Sequence, residues 1–286
     1  MRIALGWSIL SFIVFVFCAG GVSAQPAGPI PEFNCDYLGQ APPGDTPEVF
    51  APEILDPVGY RYRLAISPRG DEMFFSGDNS VLYWLRYDTT SKTWTAPESA
   101  PFNGGEPSFS PDGNRLFFIN RDPVSGSKVA LNVWYVERDD SGEWSAPQSL
   151  GSPVWDKTVH TPVMAANGNL YGSGIILLRY VDGQYQPAED LDPPVKGAQP
   201  TIAPDESLLL FDAPQPEGNS KDLYVVYQKP DGTWTPPVNL GSPVNSQERE
   251  SNPTLSPDGK YLFFTRHGKI YWVSAGVLDR LKTRAP

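Results

Sequence analysis

Cysteine, histidine and methionine are scarce: two, two and three among 286 residues. Two cysteines exclude a disulfide framework and a four-thiolate zinc centre. The only histidines, His160 and His267, are too far apart for a local metal-ligand motif, and together with Glu106 or Glu250 they would have to meet through the fold. Positive charge is also short, with 22 Lys and Arg against 33 Asp and Glu, a net charge of −11. That balance lacks the basic footprint from which nucleic-acid binders draw most of their affinity, and anionic lipid surfaces repel it. The chain has no nucleophile elbow, no Walker loop, no His-Glu-x-x-His and no Gly-x-Gly-x-x-Gly. Asp-x-Asp-x-Asp calcium loops are missing as well. The expectation is a chain without metal or cofactor.

Long apolar runs are confined to one place. Arg2 is followed by a nearly unbroken apolar stretch from Ile3 to Phe17, then by small residues ending Val22-Ser23-Ala24. This reads as a signal peptide over residues 1–24, cleaved before Gln25. The alternative is an uncleaved anchor, because the run approaches the length of a membrane span. Bulky Phe17 before Cys18 argues against a lipid anchor. After cleavage no membrane insertion is expected, and the address is secreted or periplasmic. Cys35 would then be the sole thiol, most simply a buried or incidental one. Residues 25–47 are rich in proline and glycine and read as an extended arm dispensable to the fold.

What the chain has in quantity is turns and rings: 31 Pro, 26 Gly, 8 Trp, 13 Tyr and 14 Phe. Many turns with many aromatics favour an all-β protein. One phrase recurs. Ser67-Pro68-Arg69-Gly70, Ser110-Pro111-Asp112-Gly113, Ala165-Ala166-Asn167-Gly168, Ala203-Pro204-Asp205-Glu206 and Ser256-Pro257-Asp258-Gly259 are its five copies, 38 to 55 residues apart, each leading into aliphatic or aromatic residues such as Phe74-Phe75 and Phe263-Phe264. A second phrase follows each, as in Val133-Trp134-Tyr135 and Ile270-Tyr271-Trp272. A third closes four of them: Trp94-Thr95-Ala96-Pro97, Trp144-Ser145-Ala146-Pro147, Tyr185-Gln186-Pro187-Ala188 and Trp234-Thr235-Pro236-Pro237. The physics of the unit is direct. Proline presets φ, aspartate bonds its own backbone and glycine takes φ > 0, so the first phrase is a turn between two strands. The second phrase is a third strand. The third is an outer strand, where proline's missing donor does no harm. Asp112, Asp205 and Asp258 therefore read as turn residues.

Four antiparallel strands per unit, repeated five times, predict a five-bladed β-propeller. The fifth copy lacks its closing phrase, and Val49-Phe50-Ala51-Pro52-Glu53 supplies a match at the other end. Residues 48–54 are thus expected to form the outer strand of the last blade and close the ring. Residues 276–282 suit one short helix, and the propeller spans 48–286.

These phrases resemble the TolB-type, WD-repeat-like propeller repeats of bacterial envelope and secreted proteins. The resemblance covers about residues 48–286 and implies a fold, not a function.

Equivalent positions at the start of each inner strand hold Arg63, Glu106, Thr161, Gln199 and Asn252, preceded by Tyr62, Gly105, His160, Ala198 and Ser251. The loops after the second strands bring Asp78, Arg121, Asp122, Asp212, Arg266 and His267 towards the same face. The expected ligand site is this channel mouth: Arg63, Glu106, His160, Gln199 and Asn252, with Tyr62, Arg121, Arg266 and His267 around them. The plain alternative is a set of polar groups solvated in a water-filled channel. Trp94, Trp144 and Trp234 recur in register and should pack between blades, whereas Trp155 lies outside the repeat and is a candidate contact. Two functions follow. The first is a non-enzymatic, monomeric binding or scaffold module for a protein or a small polar ligand, a glycan or a peptide. The second is a glycan hydrolase or lyase in which Glu106 and Glu250 form the carboxylate pair and His160 assists.

Overall fold

The computed structural model describes residues 28–122, 124, 126–127, 130–192, 194–215 and 220–283. The signal-peptide reading of residues 1–24 lies outside them. The strands form five antiparallel blades. Blade 1 runs Arg61–Ile66, Glu72–Gly77, Leu82–Asp88 and an outer pair, Thr93–Trp94 and Glu98–Ser99. Blade 2 is Gly105–Phe109, Arg115–Asn120, Asn132–Glu137 and Gln148–Ser149. Blade 3 is the short one, Val163–Met164, Leu170–Gly172, Ile176–Leu178 and Glu189–Asp190. Blade 4 is Ala198–Ile202, Leu208–Pro214, Lys221–Tyr227 and Val238–Asn239. Blade 5 is Glu250–Leu255, Tyr261–Arg266, Lys269–Ser274 and, from the other end of the chain, Glu48–Val49.

The closing strand pairs Glu48 with Trp272 and Val49 with Tyr271, and the Phe50 N–H donates to the Ile270 carbonyl (2.8 Å). Closure is as expected, but the strand is shorter. Ala51 turns the backbone to φ 43°, and Pro52–Leu55 is a helical turn. Proline's fixed φ suits a first helical turn better than a ladder. The Ala-Pro phrase therefore ends this strand, whereas in the other blades the outer strand follows the proline. There the closing phrase is bent: the aromatic residue pairs first (Tyr87 with Trp94, Arg138 with Trp144, Gln228 with Trp234), and the pairing resumes after the proline.

The hydrophobic core lies between neighbouring blades, where the aromatic pairs of the second strands meet the third and outer strands. Phe74, Phe75, Phe117, Phe118, Phe263 and Phe264 are all buried. Of the three recurring tryptophans expected in the core, Trp234 is buried among Leu191, Phe211 and Val226, whereas Trp94 and Trp144 are only partly buried against it. The helix Gly276–Lys282 seals blades 4 and 5 with Val277 and Leu278, and the Tyr227 hydroxyl donates to the Leu278 carbonyl (2.6 Å).

The arm packs against the propeller rather than standing off it. Tyr37 is buried among Tyr261, Trp272 and Phe263, with ring centroids 5.0, 5.5 and 6.4 Å away. Its hydroxyl donates to Asp258, the Gly28 N–H donates to Asp112, and the Trp94 indole donates to Asp36. A side chain at Gly70 would collide with the Asn34 carbonyl, so this turn glycine serves both φ +80° and the arm's close approach. Composition hid this, because a few anchoring rings decide whether a proline-rich segment packs. Cys35 is half-buried, and burial pushes its thiol up to about 12, the value of an inert group.

Candidate functional site

Each inner strand enters the channel through the same backbone kink. Arg63, Glu106, Thr161, Gln199 and Asn252 have φ of 55°, 56°, 52°, 51° and 53°. Four of the five precede a proline (Pro107, Pro162, Pro200, Pro253), which disfavours the right-handed helical region for the residue before it. The strand register slips at this point in blades 1, 2, 4 and 5. Five non-glycine residues in the left-handed region, one of them a β-branched threonine, are strained.

A second feature holds the kinks, and the sequence reading missed it. The residue after the aromatic pair of one blade accepts the backbone N–H of the kinked residue in the next. Ser76 Oγ accepts from Glu106 (2.7 Å), and Asp212 Oδ2 accepts from Asn252 (3.4 Å). Ser173, the equivalent by register in the short blade 3, accepts from Gln199 (3.1 Å). The equivalent in blade 2 is Ile119, which cannot accept, and there Thr161 reaches Glu106 with its own hydroxyl (Oγ1 to Oε2, 2.6 Å). In blade 5 it is Thr265, whose hydroxyl has no partner among the described residues. The signal was present in the repeat, as a small hydroxyl or carboxylate directly after Phe74-Phe75, Phe211 and Phe263-Phe264.

The mouth is therefore a polar belt across the channel rather than an open ring. Arg63 is 1% exposed, and its Nη1 donates to the Pro200 and Pro253 carbonyls, both at 3.1 Å. Burial lowers its pKa to about 10, although the charges of Glu106 and Asp212 work the other way. Asp212 is fully buried and pairs with Lys221 Nζ (2.5 Å), and burial raises its pKa despite that partner. Asn252 is buried, and neither its Oδ1 nor the Gln199 Oε1 has a partner among the described residues. The true ring member of blade 3 is Thr161, fully buried, and His160 sits half-buried one residue before it. Tyr62 is half-buried beside Ser76, and its hydroxyl pKa is raised by burial and then by the Glu106 charge.

The outlying residues are dispersed. Arg266 is drawn into its own blade: Nε donates to Glu250 Oε1 (2.7 Å), Nη2 to the Val244 carbonyl (2.8 Å), and the guanidinium lies over Tyr271. Glu250 is fully buried and also takes the Ser246 hydroxyl (2.6 Å) and backbone N–H (3.2 Å). Asp212 lies inside a strand and not in the loop expected for it. Arg121 and Asp122 are exposed in the loop of blade 2, and Asp78 begins the short turn Asp78–Ser80 of blade 1. His267 is the exposed tip of a two-residue hairpin, 3.3 Å from Glu248. Trp155 is half-buried in the turn Val154–Asp156. Among the described residues no group of three or more His, Cys, Asp or Glu could hold a metal ion.

The turn aspartates are structural. The Ser110 and Ser256 hydroxyls each donate to the aspartate two residues on (2.6 Å), and those carboxylates take the N–H groups of Asn114 and Lys260 (3.1 Å). Asp112 and Asp258 in addition anchor the arm.

Inward of the belt, towards these turns, the channel widens into a cavity of about 330 Å³. Its walls come from all five inner strands, and Pro68, Pro111, Pro204 and Pro257 stand around its rim.

Neither a family model nor a curated relative matches the sequence. Solved structures resemble it in the course of the chain. A TolB from Agrobacterium tumefaciens shares 14% identity over 72% of this chain and 70% of its own, with a TM-score of 0.48. TolB from Acinetobacter baumannii shares 14% over 73% and 53%, at 0.44. The periplasmic gluconolactonase of Pseudomonas aeruginosa shares 18% over 72% and 64%, at 0.42. The match spans about half the length of the Acinetobacter TolB and of the hydrazine synthase of Kuenenia stuttgartiensis (53% and 55%).

Proposed function

We propose that this chain is an exported, non-enzymatic binding module that acts as a monomer and holds a small polar ligand, a glycan or a peptide terminus, on the loop side of the polar belt. One observation carries the choice over a glycan hydrolase. The acid–base pair is incomplete, because Glu250 is fully buried with both oxygens committed to Arg266 and Ser246, which leaves Glu106, itself bound to the Thr161 hydroxyl through Oε2, without a second carboxylate. A general acid or base has to present a free oxygen to substrate. The groups that retain capacity near the mouth are the half-buried His160, Tyr62 and Gln199, with Arg121 and His267 exposed at the rim. Such groups recognise hydroxyls and amides by hydrogen bonding. Export through residues 1–24 to the periplasm or the medium is part of this reading. No helix among the described residues is long and apolar enough to cross a membrane.

The test begins with an array of glycans and peptides carrying free termini, probed with the chain from Gln25 onward. A hit is then titrated against the H160A/Q199A double variant. The binding reading expects an affinity loss of about tenfold or more, the scale of one or two hydrogen bonds, and no new reducing ends from the hit. Release of reducing ends that stops in Glu106→Gln and Glu250→Gln would establish the hydrolase instead.

A further inference from the structure

The turn-side cavity has an unusual composition for an apolar pore. Ile66, Phe109, Val163, Met164, Ile202 and Leu255 line it together with the buried Arg63. Arg63 forms no ion pair among the described residues. Of its three guanidinium nitrogens only Nη1 has partners there, and Nε is buried without one. Two carboxylate charges reach it without forming an ion pair with it: Asp212 is paired with Lys221, and Glu106 takes the Thr161 hydroxyl on Oε2. A guanidinium offers five donors, and leaving most of them without a protein acceptor at a buried position is costly. The fold tolerates this at the one point where five strained kinks converge.

We infer that the turn-side cavity is a second binding site, for an apolar carboxylate that enters head first and places its anionic oxygens on Arg63. Charge complementarity selects the ligand. The one cation lining the cavity, Arg63, is buried, and the one carboxylate, Asp279, is exposed on the C-terminal helix. An anionic head is repelled by Asp279 and attracted by Arg63, while a hydrocarbon tail meets the apolar wall. A carboxylate is also the natural bidentate acceptor for a guanidinium fork. The volume sits at the lower end of the range of ~300–1,000 Å³ for small-molecule pockets, which suits a short or medium chain. Ile30 of the arm reaches the same cavity and is half exposed, so the arm borders the entrance. This site lies on the opposite side of the belt from the polar-ligand site and does not depend on it.

The experiment uses octanoate, octanol and octylammonium as probes, titrated calorimetrically into the chain from Gln25 onward, with the melting temperature followed in parallel. Octanoate should bind saturably at one site and raise the melting temperature, with octanol about tenfold or more weaker, the scale of a charge-assisted hydrogen bond, and octylammonium weaker still. Leu255→Trp, which fills the wall without touching Arg63, should abolish octanoate binding, and Arg63→Lys should weaken it while retaining the preference for the anion. Equal affinity for octanoate and octanol would overturn the proposal, as would undiminished octanoate binding in Leu255→Trp or no octanoate binding at all.

Discussion

Glu206 occupies the turn position that glycine holds in the other four copies, at φ 60°. Its carboxylate compensates for the strain by joining blade 4 to blade 3: Oε1 accepts from Asn169 (2.9 Å) and from the buried Tyr171 hydroxyl (2.7 Å), and Oε2 accepts from Asn167 (2.8 Å). Glu206→Ala keeps the strain and strips Tyr171 of its acceptor. It should destabilise by about 2 kcal/mol in denaturant unfolding, more than an ordinary surface truncation. Asp258 carries a pH dependence. Burial alone would raise its pKa, but hydrogen bonds from Ser256, Lys260 and Tyr37 outweigh that and hold it below the usual carboxylate value. A depressed pKa contributes stability above the unfolded value of about 3.9, and the contribution disappears as pH falls through the folded value. Asp212 and Glu72, both raised by burial, act in the opposite sense. Asp258→Asn should therefore narrow its melting-temperature gap to the native chain as pH falls below about 4. A gap that stays constant to pH ~2 would show that this carboxylate is not linked to folding.

At the scale of the element, the kinked inner strand is stabilised from the neighbouring blade. The Ser76 hydroxyl is fully buried and meets the Glu106 N–H. Ser76→Ala leaves that N–H without a partner and should cost about 1–3 kcal/mol, the penalty for an unmet buried donor. Ile119→Ser, at the blade that lacks the device, puts an acceptor at the position opposite the Thr161 N–H and should be the milder change, because the Thr161 hydroxyl keeps its bond to Glu106. Denaturant midpoints of both variants check the expectation, and a neutral Ser76→Ala would remove the inter-blade bond as the support of the kink. The sequence made the strands readable because turn chemistry and aromatic spacing are local. It did not reveal the kinks, because φ at Arg63, Gln199 or Asn252 depends on a hydroxyl or carboxylate contributed by another blade.

The ring as a whole is held by its N-terminal segment at two levels. Glu48–Val49 completes blade 5, and Tyr37 with Phe50 fills the seam against Trp272. A chain beginning at residue 56 opens two sheet edges and should not fold cooperatively. A chain beginning at residue 46 keeps the strand but loses the Tyr37 ring and the bonds to Asp112, Asp258 and Trp94. It should lose about 3–5 kcal/mol, comparable to removing a large buried aromatic. Thermal and denaturant melts of the two truncations, compared with the chain from Gln25, distinguish a covering arm from an ornamental one.

By itself the sequence determined the number of blades, the positions of the turns, the closing strand and the helix at the end. Each rests on chemistry within a few residues: Pro-Asp-Gly sets a turn, and paired aromatics set a buried strand. It also placed Arg63, Glu106, Gln199 and Asn252 at one level of the channel, since repeat register is a geometric statement. Tertiary structure alone decided what that level does. The side chains turn out to be a buried belt, Glu250 is bound to Arg266 within its own blade, and Thr161 rather than His160 completes the ring. It also decided that the arm is part of the core. These outcomes depend on which donor meets which acceptor between residues 16 to 221 positions apart, and no local pattern encodes that choice.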